Sequence, residues 1–407
     1  MTRPIRRDPL GSESALAAVD DATSATTSLD DTAILRLTET ELPAFVFDAP
    51  PEPAADVPQP AFDLIRTGRI AIAWLALAVV INVASYALLS LIRHAAMNGT
   101  VTGHTLYPAD LWGWLQVFLP LGAVGVGAVC LAFEAWGIGW ERSALRRLLH
   151  PATNSTRTDL FYLFLVVSGL RSVLTFLFTL GAGLGAGYWI SARIQELLGV
   201  SLLSEVSFPL SLAIVTLVNT FTFYWVHRIM HSRFLWEIHK VHHAAEEMNV
   251  ITPHRNHPVD HAVVLAVNAV PAAMLGASEI GVLTYVAMNG VYQQMAHTDM
   301  DWNLRRWGLG WIEKYVLFSS TAHRIHHSRS RRHFDKNFGI TPFWDRLFGT
   351  YYEPRGEPVR VGLDQEAEHN TGHPVRELWR VYWGAVRTAA GELARLFRRP
   401  RSEDRRA

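Results

Sequence analysis

The stretch 227-HRIMHSRFLWEIHKVHHAAEEMN-249 carries His227, His231, His239, His242 and His243, and it follows directly on an apolar run. A second burst, 323-HRIHHSRSRRHFDKNFG-339, adds His323, His326, His327 and His333. Of the 18 histidines in the chain, 13 fall between positions 227 and 333. Their spacing is helical. His227 and His231 are i and i+4; His239, His242 and His243 are i, i+3 and i+4; His323, His326 and His327 repeat that pattern. Residues three and four apart share a helix face, about 5–6 Å between Cβ atoms. Each motif is therefore predicted to send two or three imidazoles to one place. Neutral imidazole ligates iron, zinc, copper or nickel. Eight imidazoles in three motifs exceed the needs of one ion, so two metal ions are the natural count.

Outward from the histidines, four runs are long and apolar enough to cross a bilayer, which takes about 20 residues. They cover 70–92, 112–136, 161–189 and 208–226. A fifth apolar region, 262–292, is interrupted by Pro271, Gly276 and Glu279 and reads as a membrane hairpin. Arg171 lies inside the third run, where it either faces a polar cavity or splits the run. Arg66 and Arg69 precede the first run, and Arg142, Arg146, Arg147 and Arg157 separate the second from the third. Positive charge prefers the cytoplasm. The predicted topology puts the N-terminus, both histidine bursts and the C-terminus on the cytoplasmic side. The fold expected is all-α: a polytopic bundle of about four transmembrane helices plus the hairpin, capped by a cytosolic histidine-rich helical di-metal domain.

The chain of 407 residues has 37 basic and 37 acidic side chains, a balance that gives no footing for a nucleic-acid partner. Its single cysteine, Cys130, rules out an internal disulfide and a thiolate cluster. Residues 1–62 are acidic and Pro/Ala-rich, read as a disordered tail without the apolar core of a signal peptide. The remaining divisions expected are N-terminal membrane helices over 63–205, a catalytic domain over 206–353 and a cytosolic tail over 354–407. The stretch 386–407 is basic and begins amphipathically, suited either to an anionic leaflet or to the cytosol. The aromatic run 221-FTFYW-225 suits a lipid entry path, or interface anchoring by Tyr224 and Trp225.

Taken in order, HxxxH, HxxHH and HxxHH resemble the boxes of the fatty acid hydroxylase / sterol desaturase superfamily, membrane-bound di-iron proteins. Smaller marks agree: 255-RNHPVD-260, 335-DKNFG-339 and 344-WDRLFGTY-351. The resemblance covers roughly 210–353. It implies that His227, His231, His239, His242, His243, His323, His326 and His327 are catalytic metal ligands, with His297 a ninth and His257 either a tenth or part of a Pro-flanked structural turn. Glu246 and Asp335 either orient ligating imidazoles or are a helix-surface and a turn charge, while His254, His261 and His333 support the site or lie on the surface. The resemblance further implies two iron ions, dioxygen as co-substrate, a lipid substrate and electrons from outside. No HPGG heme motif of a fused cytochrome b5 occurs, so the donor expected is a separate ferredoxin or cytochrome b5-type protein with its reductase. Some ether-cleaving members carry a glutamate directly after HxxxH; here that position is Ser232, which argues against ether cleavage.

The absence of HExxH and of ExxH pairs in the boxed region turns the residue reading away from hydrolytic and carboxylate-bridged sites. The function that the resemblance implies is hydroxylation of a lipid C–H bond, with desaturation of the same substrate class as the sibling outcome. A metal transporter with a histidine-rich loop and a zinc hydrolase or zinc scaffold are the competing classes.

Overall fold

A carbonyl, hydroxyl or guanidinium left bare in an apolar bundle costs several kcal/mol, and the helices of this chain are arranged around that constraint. The computed structural model describes residues 109–179, 206–299, 308–354, 359–363 and 369–397, with scattered positions within 73–84 and 193–203. The acidic tail 1–62, more than half of the first apolar run and residues 180–189 of the third lie outside the described residues. Twelve α-helices are described, and the only strand-like pairing among the described residues is one bridge, Ser328 to Val361.

In chain order the helices are α1 (Ala109–Ile138), α2 (Ala144–Leu149), α3 (Asn154–Val167), α4 (Leu170–Thr179), α5 (Phe208–Met230) and α6 (Trp236–His243). They continue with α7 (Pro258–Met274), α8 (Glu279–Ala296), α9 (Gly310–Tyr315), α10 (Ser320–His326), α11 (Pro342–Leu347) and α12 (Pro374–Phe397). Helix α5 opens with Pro209 in its first turn and stays apolar for 23 residues. Its Thr216 and Thr222 hydroxyls donate to the carbonyls of Leu212 and Val218, so they enter the apolar span satisfied. Among the described residues it is the one helix that is by itself long and apolar enough to cross a membrane.

The third run behaves differently from a straight crossing. Helices α3 and α4 meet at a bend of 88°. Gly169 sits at φ 69°, the left-handed conformation that ends a helix, two residues before Arg171. The side-chain amide of Asn82 donates to the freed Val167 carbonyl at 2.7 Å. Of the two positions open to Arg171, the split of the run is the one the backbone adopts. The region 262–292 forms two helices, α7 and α8, turned about Gly276 at φ 68°. Val215 of α5, Ala272 of α7, and Val282 and Tyr285 of α8 pack there into one core. A second core joins Tyr162 and Leu165 of α3, Val241 of α6, and Leu378 and Val381 of α12. Part of the segment read as a C-terminal tail is thus a 24-residue helix seated on the second histidine motif.

One buried ion pair links these layers. The Arg255 guanidinium lies 3.1 Å from Asp159 of α3, with both side chains about 1% exposed. It also donates to the Val241 carbonyl at 2.8 Å and the Asn370 side chain at 2.7 Å. Asp159 in turn accepts from Asn249 and Thr252. Asn370 donates to the Ala244 carbonyl. The C-terminal end of α6, where His242 and His243 sit, is therefore pinned at two carbonyls, Val241 and Ala244. Removing one partner of such a pair leaves a bare buried charge. Asp159→Ala is expected to lower unfolding free energy by about 3–5 kcal/mol in denaturant titrations of the solubilised chain. Asp159→Asn, which keeps one acceptor oxygen for Arg255, is expected to cost less.

Candidate metal centre

Adjacent residues on a helix point about 100° apart, so the paired histidines of an HxxHH motif cannot serve one point in space. The structure divides them. His227, His231, His239, His243 and His326 form one group, and His242, His297, His323 and His327 form another. Within each group the ligating atoms all lie within 4.8 Å of one another. Every i, i+4 pair stays together: 227 with 231, 239 with 243, 323 with 327. The i+3 members cross over, His242 to the second group and His326 to the first. The sequence expectation that each motif feeds one place is corrected accordingly: both HxxHH motifs are shared between two places. The His243 and His327 rings stack at 4.4 Å and form the wall between the groups.

The ring nitrogens turned away from the groups are held by oxygen acceptors. The Nδ1–H of His227 donates to the Phe338 carbonyl at 2.7 Å, that of His326 to Lys336 O at 2.9 Å, and that of His297 to Gln293 O at 2.7 Å. His239 Nδ1 lies 3.1 Å from the Asp260 carboxylate. A carbonyl carries no proton, so these contacts fix the tautomer and leave Nε2 as a bare lone pair. Those Nε2 atoms then face one another. His227 and His326 approach to 3.0 Å, His227 and His239 to 3.1 Å, His297 and His323 to 3.0 Å, and His297 and His242 to 3.3 Å. His227 and His326 both carry their proton on Nδ1, so the two lone pairs that meet between them have no proton to share. A cation between them resolves the conflict. With metal–nitrogen bonds of about 2.1 Å, neighbouring ligands lie about 3.0–3.4 Å apart. Burial, the largest cause, holds the His326 imidazole down to about 3 and that of His297 to about 4. His242, His243, His323 and His327 are also lowered, first by burial and then by neighbouring imidazoles. All six are neutral at neutral pH and can act as ligands. The nitrogen-only donor set suits iron, zinc, copper or nickel, and the residues present fit one ion in each group.

The third motif and the chain after it build the rack that aims two of these rings. Asp345 of α11, fully buried, accepts from the backbone N–H groups of Phe338 and Gly339 at 2.8 Å each and from the Thr350 hydroxyl at 2.6 Å. Asn337, at φ 55°, donates to the carbonyls of Ala322 and Tyr352. The segment 335–339 and the closing segment 344–351 are thus one folded unit, and it presents the Lys336 and Phe338 carbonyls to the two histidines. A Cβ on Gly339 would meet the Thr341 carbonyl at 2.7 Å, so the turn has no room for a side chain.

Nine of the ten histidines named from the sequence come together. His257 does not: its Nε2 lies 3.3 Å from the Leu378 carbonyl, its Nδ1 accepts from Val259 N, and its ring stacks against Tyr382. His257 is a packing residue under α12. The orienting carboxylates also differ from expectation. Glu246 accepts from Asn370, Asp335 is an exposed turn residue at φ 56°, and Asp260 is the one that reaches a ring nitrogen. The signal for Asp260 was its place in 255-RNHPVD-260, 21 residues past His239. No local periodicity connects them. His333 bonds Ser328 and stays outside both groups. In the aromatic run, Tyr224 is buried with its hydroxyl 3.0 Å from Thr350, so it supports the rack and does not anchor an interface; Trp225 is partly exposed.

Residues 212–350 match the family model described as fatty acid hydroxylase. The chain is 30% identical over 172 residues to alkylglycerol monooxygenase of Homo sapiens, covering 40% of this chain and 36% of the human protein. It is 32% identical over 163 residues to that of Danio rerio, covering 39% and 33% of the two chains. An ornithine lipid hydroxylase of Rhizobium tropici is 29% identical over 150 residues, covering 36% and 43%. The chain thus spans between a third and somewhat over two fifths of the length of these relatives. No solved structure matches it. Orienting carboxylates of this kind change metal affinity by about 10–100-fold. Asp260→Asn is expected to weaken metal retention by that factor at the five-histidine group, leaving the four-histidine group loaded. Glu246→Gln is expected to leave both unchanged. Metal analysis after graded chelator competition reads the two populations.

Proposed function

From a chain whose residues 212–350 belong to the fatty acid hydroxylase family, we propose a membrane-bound, dioxygen-dependent oxidoreductase that hydroxylates a C–H bond of a lipid and carries two iron ions. The observation that carries this reading is the convergence of nine imidazoles, eight of them buried, into groups of five and four, with the outer nitrogens of four held on oxygen acceptors. When bound, an iron pair supplies reduction of dioxygen by two external electrons, one oxygen atom entering the C–H bond and the other leaving as water.

The protein's own contribution is orientation and exclusion of water. His227, His231, His239, His243 and His326 would hold one ion, and His242, His297, His323 and His327 the other. Asp260 and the Phe338, Lys336 and Gln293 carbonyls keep the rings in one tautomer. Above the first group, Phe223 packs against the His227 ring and Phe338 against His231 and His326, an apolar lid suited to an alkyl chain. Helix α5 carries His227 on its last turn and exposes Phe208, Leu210, Leu217 and Phe221, a surface suited to lipid. The similarity to proteins named for an alkylglycerol and an ornithine lipid favours a lipid bearing a polar headgroup. Ser232 after the first box still weighs against ether cleavage. We further propose that the chain crosses the bilayer several times with its histidines on the cytoplasmic side, and that a separate protein supplies the electrons.

The test is comparative lipid mass spectrometry of cells expressing wild type or His326→Ala/His327→Ala, a variant that removes one imidazole from each group. The expected outcome is a lipid species heavier by one oxygen atom in wild type, absent from the variant and from cultures deprived of oxygen. A species lighter by two hydrogens would replace hydroxylation with desaturation. Lipid profiles that stay identical in a host with iron, oxygen and a working donor would overturn the redox reading.

A further inference from the structure

Helix α12 has three distinct faces. Leu378, Val381 and Ala385 are buried, the first two in the core with Tyr162, Leu165 and Val241. A second stripe, one helical turn apart along the axis, is apolar yet exposed: Val375, Trp379, Trp383, Val386 and Leu393 are 39–59% exposed. Beside it runs an exposed row of Arg376, Arg380 and Arg387. The helix's two acids lie off this row. Glu377 is buried and accepts from the Thr371 N–H, and Glu392 pairs with Arg395.

Five large apolar side chains in one exposed line exceed what a water-facing helix ordinarily shows. Two tryptophans flanked by arginines suit the boundary between acyl chains and headgroups. The stripe also abuts the apolar bent pair. Phe178 of α4 packs against Trp379 at 5.0 Å and Tyr382 at 4.7 Å, and its neighbour Leu177 is 57% exposed. We infer that α12 is an interfacial helix lying on the bilayer surface, its tryptophan stripe dipped among the acyl chains and Arg376, Arg380 and Arg387 bound to the phosphates of acidic phospholipids. The placement extends upstream of the basic tail 386–407 to Pro374, and it does not depend on the chemistry of the metal groups. Because α12 packs directly on α6, the same contact would hold the second histidine motif at a fixed depth near the membrane.

The single cysteine makes a direct test possible. The full chain with Cys130→Ser and Val386→Cys is spin-labelled and reconstituted in nanodiscs of phosphatidylcholine, alone or with phosphatidylglycerol. With phosphatidylglycerol present, collisions of the label with oxygen are expected to exceed those with a water-soluble nickel chelate. Each arginine near an anionic surface is worth about fivefold in partition, so Arg376→Gln/Arg380→Gln/Arg387→Gln is expected to shift the immersed-to-free equilibrium by on the order of a hundredfold. High salt is expected to shift it in the same direction. Thermal melting checks that the variant stays folded. A label reached mainly by the nickel chelate in every bilayer overturns the inference. So does spin–spin broadening from a second copy, which would make the stripe a dimer surface. Immersion unaffected by the three substitutions overturns the acidic-headgroup assignment.

Discussion

Nine imidazoles converge with their ring nitrogens turned toward one another, and the surrounding structure is organised to hold that arrangement in place. Left to themselves, the rings would rotate or draw in water. They are prevented because the far nitrogens of four of them are committed: three to backbone carbonyls and one to Asp260. Each of those acceptors is itself fixed. Phe338 and Lys336 belong to the turn that Asp345 and Asn337 tie down. Gln293 O is the carbonyl one turn before His297 at the end of α8. The site is thus preorganised by backbone, the least mobile material available, in keeping with how well-supported metal sites are built.

Much of this was legible in the residues. The i, i+4 histidine pairs announce shared helix faces, and they stay paired in space. The apolar run before His227 forms one long helix, and the interruption at Gly276 marks a real turn. What escaped the sequence was whatever depends on contacts between distant segments. The adjacent histidines of HxxHH point about 100° apart, but the motif does not say which group the i+3 member joins, because that depends on where a second helix lies. Of the two readings of His257, ligand or Pro-flanked structural residue, the structure adopts the second, while Asp260 of the same segment reaches a ring nitrogen, because α7 starts between them at Pro258. The 88° bend after Ser168 was hidden for a similar reason: apolar composition reports length, whereas one glycine at positive φ reports direction.

The sharing of the paired histidines has a mechanical consequence. His242 and His243 are joined by a single peptide unit, as are His326 and His327, and in each pair one ring belongs to each group. Successive Cα atoms are fixed about 3.8 Å apart, so the two groups are tethered to each other through α6 and through the end of α10. The stacked His243 and His327 rings close the gap from both sides. A displacement that loosens one group therefore drags a ligand of the other. The two groups make one structural unit, held at one end by the Arg255–Asp159 pair beneath α6 and at the other by the Asp345 turn beneath α10. That coupling explains why so much of the chain's buried polar chemistry lies outside the cage: it fixes the two short helices on which both groups depend.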